Sequence, residues 1–138
     1  FGLMPGSFYG WPKNVLHYAG LQESILDINA TVRPQFAIVD GIVGMEGDGP
    51  ILGTAKAAGV LVVGTNLPAV DATAARVMGI DPARIRYLAE AGGWLGPIAE
   101  EAIHQVGETL ASVRTPFELV ERIPAHKELL DKESGAGY

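Results

Sequence analysis

At 138 residues, 48% hydrophobic and 19% charged, the chain has the size of one ordinary domain and enough apolar content to bury a core. A net charge of -6 with scattered lysines and arginines excludes nucleic acid as a partner, because phosphate neutralisation supplies most non-specific affinity there. The absence of cysteine excludes disulfides, cysteine-ligated zinc, a thiol nucleophile and any iron–sulfur cluster held by this chain, and suits a cytoplasmic protein. No apolar run approaches the ~20 residues of a membrane helix, so no membrane partner is expected. The chain begins at Phe1 without a signal pattern, which sets the expectation of a piece of a longer protein with a missing upstream segment.

In chain order, residues 1–17 read as a loop in which Pro5, Gly6, Gly10 and Pro12 lie among Phe8, Tyr9 and Trp11. These aromatics suit a lid on the core, a wall facing a ligand, or interface anchors. Lys13 and His17, four residues apart, share one face of any helical turn there and suit an anionic substrate or a salt bridge. Leu21, Ile25, Ile28 and Val32 then recur at helical spacing, with Glu23, Asp27 and Asn29 outward and Pro34 as the stop. Phe36 to Val39 reads as a strand buried on both faces, hence central. A glycine-rich acidic loop follows, carrying Asp40, Gly41, Gly44, Glu46, Gly47, Asp48, Gly49 and Pro50. Thr54 to Ala58 makes at most a turn of helix, and Val60 to Val63 is a second buried strand.

Pro68 opens a helix through Met78 whose apolar stripe is Val70, Ala74, Val77 and Met78, and Gly79 closes it. Asp81 caps a second helix with Pro82 at its first position, Ile85, Leu88 and Ala89 inward, and Gly92-Gly93 as terminator. Glu100 to Val113 fits a helix, but Gly107 opposes one and Ile103 to Val106 fits a short strand, which is the preferred reading. Pro124 to Lys132 suits a short peripheral helix, and residues 134–138 a frayed tail. The predicted architecture is α/β: one domain over 1–138, with a mostly parallel or mixed sheet flanked by helices.

A strand running into a Gly-rich acidic loop is a common way to build a site at the carboxyl end of a parallel sheet. Ordering that many glycines costs entropy, which a tight backbone path or a ligand close to the main chain would offset. Asp71, in the first turns of the helix after the second strand, is expected to converge with Asp40 and Glu46. Three carboxylates among carbonyl oxygens, without sulfur, form a set for a hard divalent cation such as Mg²⁺. For each alone there is a plainer role: a turn-forming side chain at Asp40, helix stabilisation at Asp71. The EF-hand spacing is absent, Gly47 to Gly53 departs from the dinucleotide fingerprint, and no serine sits in a nucleophile elbow. His104, His126, Arg76, Arg84 and Arg86 read as surface residues.

The run Lys13-Asn14-x-Leu16-His17, the core Asp40-Gly41-Ile42-x-Gly44-Met45-Glu46-Gly47 with Gly49-Pro50, and Pro68-Ala69-Val70-Asp71 with Met78-Gly79-Ile80-Asp81-Pro82 resemble the domain of unknown function 362 family. The resemblance runs from about Lys13 to about Phe117. It implies a prokaryote-type protein of unsettled biochemistry, often longer, some members carrying ferredoxin-like iron–sulfur segments. It also places emphasis on Lys13, His17, Asp40, Glu46 and Asp71. The functional expectation is a small-molecule enzyme or enzyme domain whose acidic Gly-rich loop (Asp40, Gly41, Glu46, Gly47, Gly49) with Asp71 binds a divalent cation, an anionic substrate, or both. Lys13 and His17 meet the negative charge. The alternative is a non-catalytic ligand-binding or subunit-interaction module of a larger redox protein, or a homo-oligomer.

Overall fold

The structure, a computed structural model, describes Gly2, Leu3, Ser7 and residues 14–130. Lys13, the aromatics Phe8, Tyr9 and Trp11, and the tail at 134–138 lie outside the described residues. The chain divides into two compact units, Phe1–Gln35 and Phe36–Tyr138.

In the first unit, helix α1 (Val15–Ala19) is followed by Gly20 and helix α2 (Leu21–Val32). The predicted apolar stripe is only partly the buried one. Leu21 and Val32 are exposed, whereas Ser24 and Leu26 are buried. Ser24 tolerates burial because its hydroxyl donates to the Leu16 carbonyl at 3.1 Å. Arg33, in the left-handed region at φ 49°, ends α2 and donates its amide to Asn29 O, one residue before Pro34.

In the second unit the glycine-rich stretch is not a loop. Strand β1 (Ala37–Asp48) runs through it, turns at Gly49-Pro50-Ile51, and returns as β2 (Leu52–Gly64). The two strands pair antiparallel, and among the described residues they form the whole sheet. This corrects the parallel or mixed sheet, the central Phe36–Val39 strand and the helical turn at Thr54–Ala58. Apart from the turn at 49–51 and the positions Ile42, Ala58 and Gly59, the stretch from Asp40 to Leu61 is paired, from Asp40↔Leu61 to Asp48↔Leu52. Glycines that signal a loop when read alone are here required by what packs on them. A Cβ on Gly44 would lie 2.8 Å from the Phe117 ring, and one on Gly41 would lie 3.0 Å from a Val60 methyl.

The register slips between Gly41↔Val60 and Val43↔Ala57, where Gly59 takes a φ of 69°. A glycine in that conformation is how an extra residue is absorbed without strain. Ala58 and Gly59 of β2 stand opposite Ile42 alone, and across this bulge the half-buried positions of β1 change parity. Before it, Ala37, Val39 and Gly41 are the half-buried positions; after it, Gly44, Glu46, Gly47 and Asp48 are.

Helix α3 (Leu67–Val77) follows β2, and its ends are locally determined. Asn66 accepts the Ala69 amide at 3.1 Å, and Pro68 occupies the first turn. At the other end Gly79 N–H bonds Arg76 O and Ile80 N–H bonds Ala75 O, with Gly79 at φ 78°, a Schellman stop. The core lies mainly on this helix and the next rather than on the sheet: Val70, Ala72, Ala75, Val77, Leu88 and Ala91 are buried, with Pro82 between the helices. Ala74 and Met78 are only half-buried, so the buried stripe is rotated from the predicted one. Asp81 does cap, accepting the Ala83 amide at 2.9 Å, but Pro82–Arg84 is a single 3-10 turn and α4 (Arg86–Ala91) starts separately. Ala89 points outward, in place of Ala91. The segment expected as strand 103–106, or as a helix to Val113, is neither; it is irregular between a 3-10 turn at Glu100–Ala102 and helix α5 (Leu110–Val113). Helix α6 (Pro124–Leu130) matches the expected peripheral helix.

An extended segment then ties helix to hairpin. Thr115 and Phe117 donate their amides to Val77 O and Met78 O at 2.7 and 2.9 Å, and Gly47 donates to Glu118 O at 3.1 Å. Replacing Phe117 by Ala should cost on the order of 1–2 kcal/mol for a half-buried ring. Replacing Gly44 by Ala should cost roughly 1–3 kcal/mol through overpacking. Urea unfolding of the double variant should show less than the sum, because the collision disappears with the ring.

Candidate functional site

The register slip decides what the acidic residues of β1 can do. Asp40 falls on the exposed face, opposite Leu61, and its Oδ1 accepts the Ile42 amide at 3.0 Å. Glu46 falls on the other face with 14% of its side chain open, 3.3 Å from Lys56 Nζ. Its Oε2 also accepts the Glu118 amide at 2.9 Å. That amide, followed by Lys56, holds the Glu46 carboxyl below its ordinary value. Asp48 pairs with Arg122. Gly41 and Gly47 are interior to the strand, Gly47 at φ 79°, and Gly49 lies in the hairpin turn.

Asp71 is on α3, where its Oδ2 accepts the Tyr87 hydroxyl at 3.0 Å. Burial raises the Asp71 carboxyl and, with the adjacent carboxylate, raises the Tyr87 phenol. His17 is an exposed residue of α1 in the first unit. Asp40 and Glu46 thus stand on opposite faces of one hairpin, and each carboxylate is engaged by an amide, a phenol or a cation of the chain itself. Among the described residues no three His, Asp or Glu side chains gather as a metal ion would require. The chain holds no cysteine, so it offers no thiolate to an iron–sulfur cluster.

A different place is concave. Between β2, α3 and the irregular 102–113 segment lies a cleft of about 600 Å³, walled by Val60, Val62, Val70, Val77 and Val113. A second cavity of about 290 Å³ is lined by Thr73, Arg76, Glu100, His104 and Gln105. Arg76 and His104 gave no signal in sequence, because they meet only when the 97–113 segment returns over α3. Lys56 and Arg122 were overlooked for a related reason: their roles depend on the hairpin register and on the return of the chain after Phe117.

The family model described as Domain of unknown function (DUF362) matches residues 1–76. Thylakoid-associated protein sll1697 of Synechocystis sp. (strain ATCC 27184 / PCC 6803 / Kazusa) is 28% identical over 94 residues, covering 64% of this chain and 28% of that protein. The chain therefore spans little more than a quarter of that relative's length. No solved structure matches. No helix among the described residues is long and apolar enough to cross a membrane.

The two shifted carboxyls act on stability with opposite sign. Glu46, lowered, stabilises above its ordinary value of 4.5, and that contribution is lost as pH falls through its native value. Asp71, raised, is best tolerated protonated, and stability declines as pH rises from 3.8 through its native value. In chemical denaturation across this acid range, Glu46→Gln should flatten the loss at low pH. Asp71→Asn, which still accepts the phenol hydrogen bond, should be at least as stable as the parent at neutral pH. Tyr87→Phe should cost roughly 1–3 kcal/mol by leaving a half-buried carboxylate without its donor.

Proposed function

The chain belongs to the DUF362 family, and from that footing we propose that it works as a subunit-interaction module of a larger assembly rather than as a self-contained catalytic unit. The observation that carries this reading is the outer face of the hairpin. Ile38, Val43 and Leu61 are 63%, 61% and 58% exposed, and Met45 and Val63 extend the same face through the pairs Ile38↔Val63 and Met45↔Ala55. A continuous exposed apolar face of this kind marks a protein contact. A two-stranded hairpin also offers unpaired edges that further strands can join.

The occupant is protein of the same assembly presenting an apolar β surface. A relative more than three times the matched length has ample chain to supply one. The enzyme reading places a divalent cation on Asp40, Glu46 and Asp71 and an anion on Lys13 and His17, of which Lys13 lies outside the described residues. Its carboxylates already have partners in the chain, and among the described residues no three such side chains gather.

Ile38→Lys combined with Val63→Lys should leave the chain folded, since both side chains face outward. The variant should no longer associate, with itself or with the separately expressed remainder of a longer family member, in sedimentation velocity. Hydrogen exchange of β1 and β2 in the longer protein should be slower than in the 138-residue chain. Equal exchange in both would overturn the interface.

A further inference from the structure

We infer that the second unit carries a binding site for a small amphipathic carboxylate, with its apolar body in the cleft between β2 and α3 and its head group on Arg76. The two cavities are one feature: Thr73, Ile103, His104, Gln105 and Leu110 line both. The larger end is walled by valines of β2 and α3, and the smaller end is polar. That gradient, apolar trough to polar terminus, suits a ligand with a hydrocarbon body and one anionic end.

Arg76 supplies the charge. Its Nη2 donates to Ile98 O at 2.6 Å, which anchors one arm of the guanidinium. Nε lies 3.7 Å from Glu100, beyond hydrogen-bond length, and the Glu100 side chain is 68% exposed. Nη1 is buried and has no partner among the described residues. Buried guanidinium N–H groups left without acceptors are costly, and a carboxylate matches the fork in bidentate fashion. The ligand head takes the place of the loosely held, exposed Glu100 side chain beside Nε. The Thr73 hydroxyl, which donates to Ala69 O at 2.8 Å, and the His104 imidazole complete the polar end.

The neighbouring carboxylates set selectivity. Glu108 borders the larger cleft, where the Ser112 hydroxyl donates to it at 3.3 Å, and Glu100 stands beside the smaller cavity. Together they disfavour ligands carrying several negative charges, which is why a monocarboxylate is preferred over a phosphate. The cleft's lining includes Leu61 and Val63 of the hairpin, and the titration below reads ligand binding separately from association.

The test is an NMR titration of the full 138-residue chain with octanoate, octanol and inorganic phosphate. Octanoate should shift the amides of Thr73, Ile103 and Leu110, phosphate should not, and octanol should bind about tenfold or more weakly. Arg76→Gln should weaken octanoate by a similar factor. Glu100→Gln, which removes the competing carboxylate at an exposed position and leaves the fold intact, should tighten it. Octanol binding as well as octanoate, or Glu100→Gln weakening octanoate, would overturn the assignment of Arg76 as the head-group site. Absence of octanoate binding to the parent and to Glu100→Gln alike would overturn the site altogether.

Discussion

The seating of Phe117 on Gly44 is the contact on which the second unit depends. It lets the segment from Thr115 to Glu118 lie between the end of α3 and the inner face of β1, bonded to Val77 O and Met78 O on one side and to Gly47 on the other. Any side chain at Gly44 would lift the ring and with it the segment's hydrogen bonds to both elements. The hairpin has few buried apolar side chains of its own, since the core sits on α3 and α4. Backbone bonding and the Phe117 ring, beside the close packing of Val70 on Gly64, therefore hold the sheet to the helices.

The same arrangement accounts for the chemistry of the glycine-rich stretch. Once Glu118 is brought to β1, its amide and Lys56 neutralise Glu46, and Arg122 arrives close enough to pair with Asp48. These acidic side chains, which look like a ligand set when written in a line, act as the fasteners of the hairpin. Asp40 escapes that fate only because the slip at Gly59 turns it to the opposite face, where it holds the Ile42 amide within an apolar surface. Polar capacity left over in the unit lies elsewhere, at the guanidinium of Arg76.

The helices were readable from sequence because their signals are local. Pro68 and Gly79 bracket α3 correctly, and Asp81 caps the turn after it, since each device involves residues within one helical turn. Family membership was readable for a similar reason: the Asp-Gly-Ile-x-Gly-Met-Glu-Gly run is contiguous. The sheet was misread because glycine has two meanings. At Gly59 it supplies a positive φ, at Gly44 it makes room for a ring, and nothing beside either residue distinguishes these uses from a ligand-approach loop.

By itself, then, the sequence determined the two capped turns around α3, the helix α2 stopped before Pro34, the lack of any cysteine chemistry, and the family. Only the tertiary structure decided that the glycine stretch is a strand, that Asp40 and Glu46 part company across it, and that Arg76 faces a cavity with His104. The physical reason is sequence distance. A cap is settled by neighbours three or four residues away, whereas Phe117 on Gly44 and Glu118 on Glu46 join residues that only the folded chain brings together.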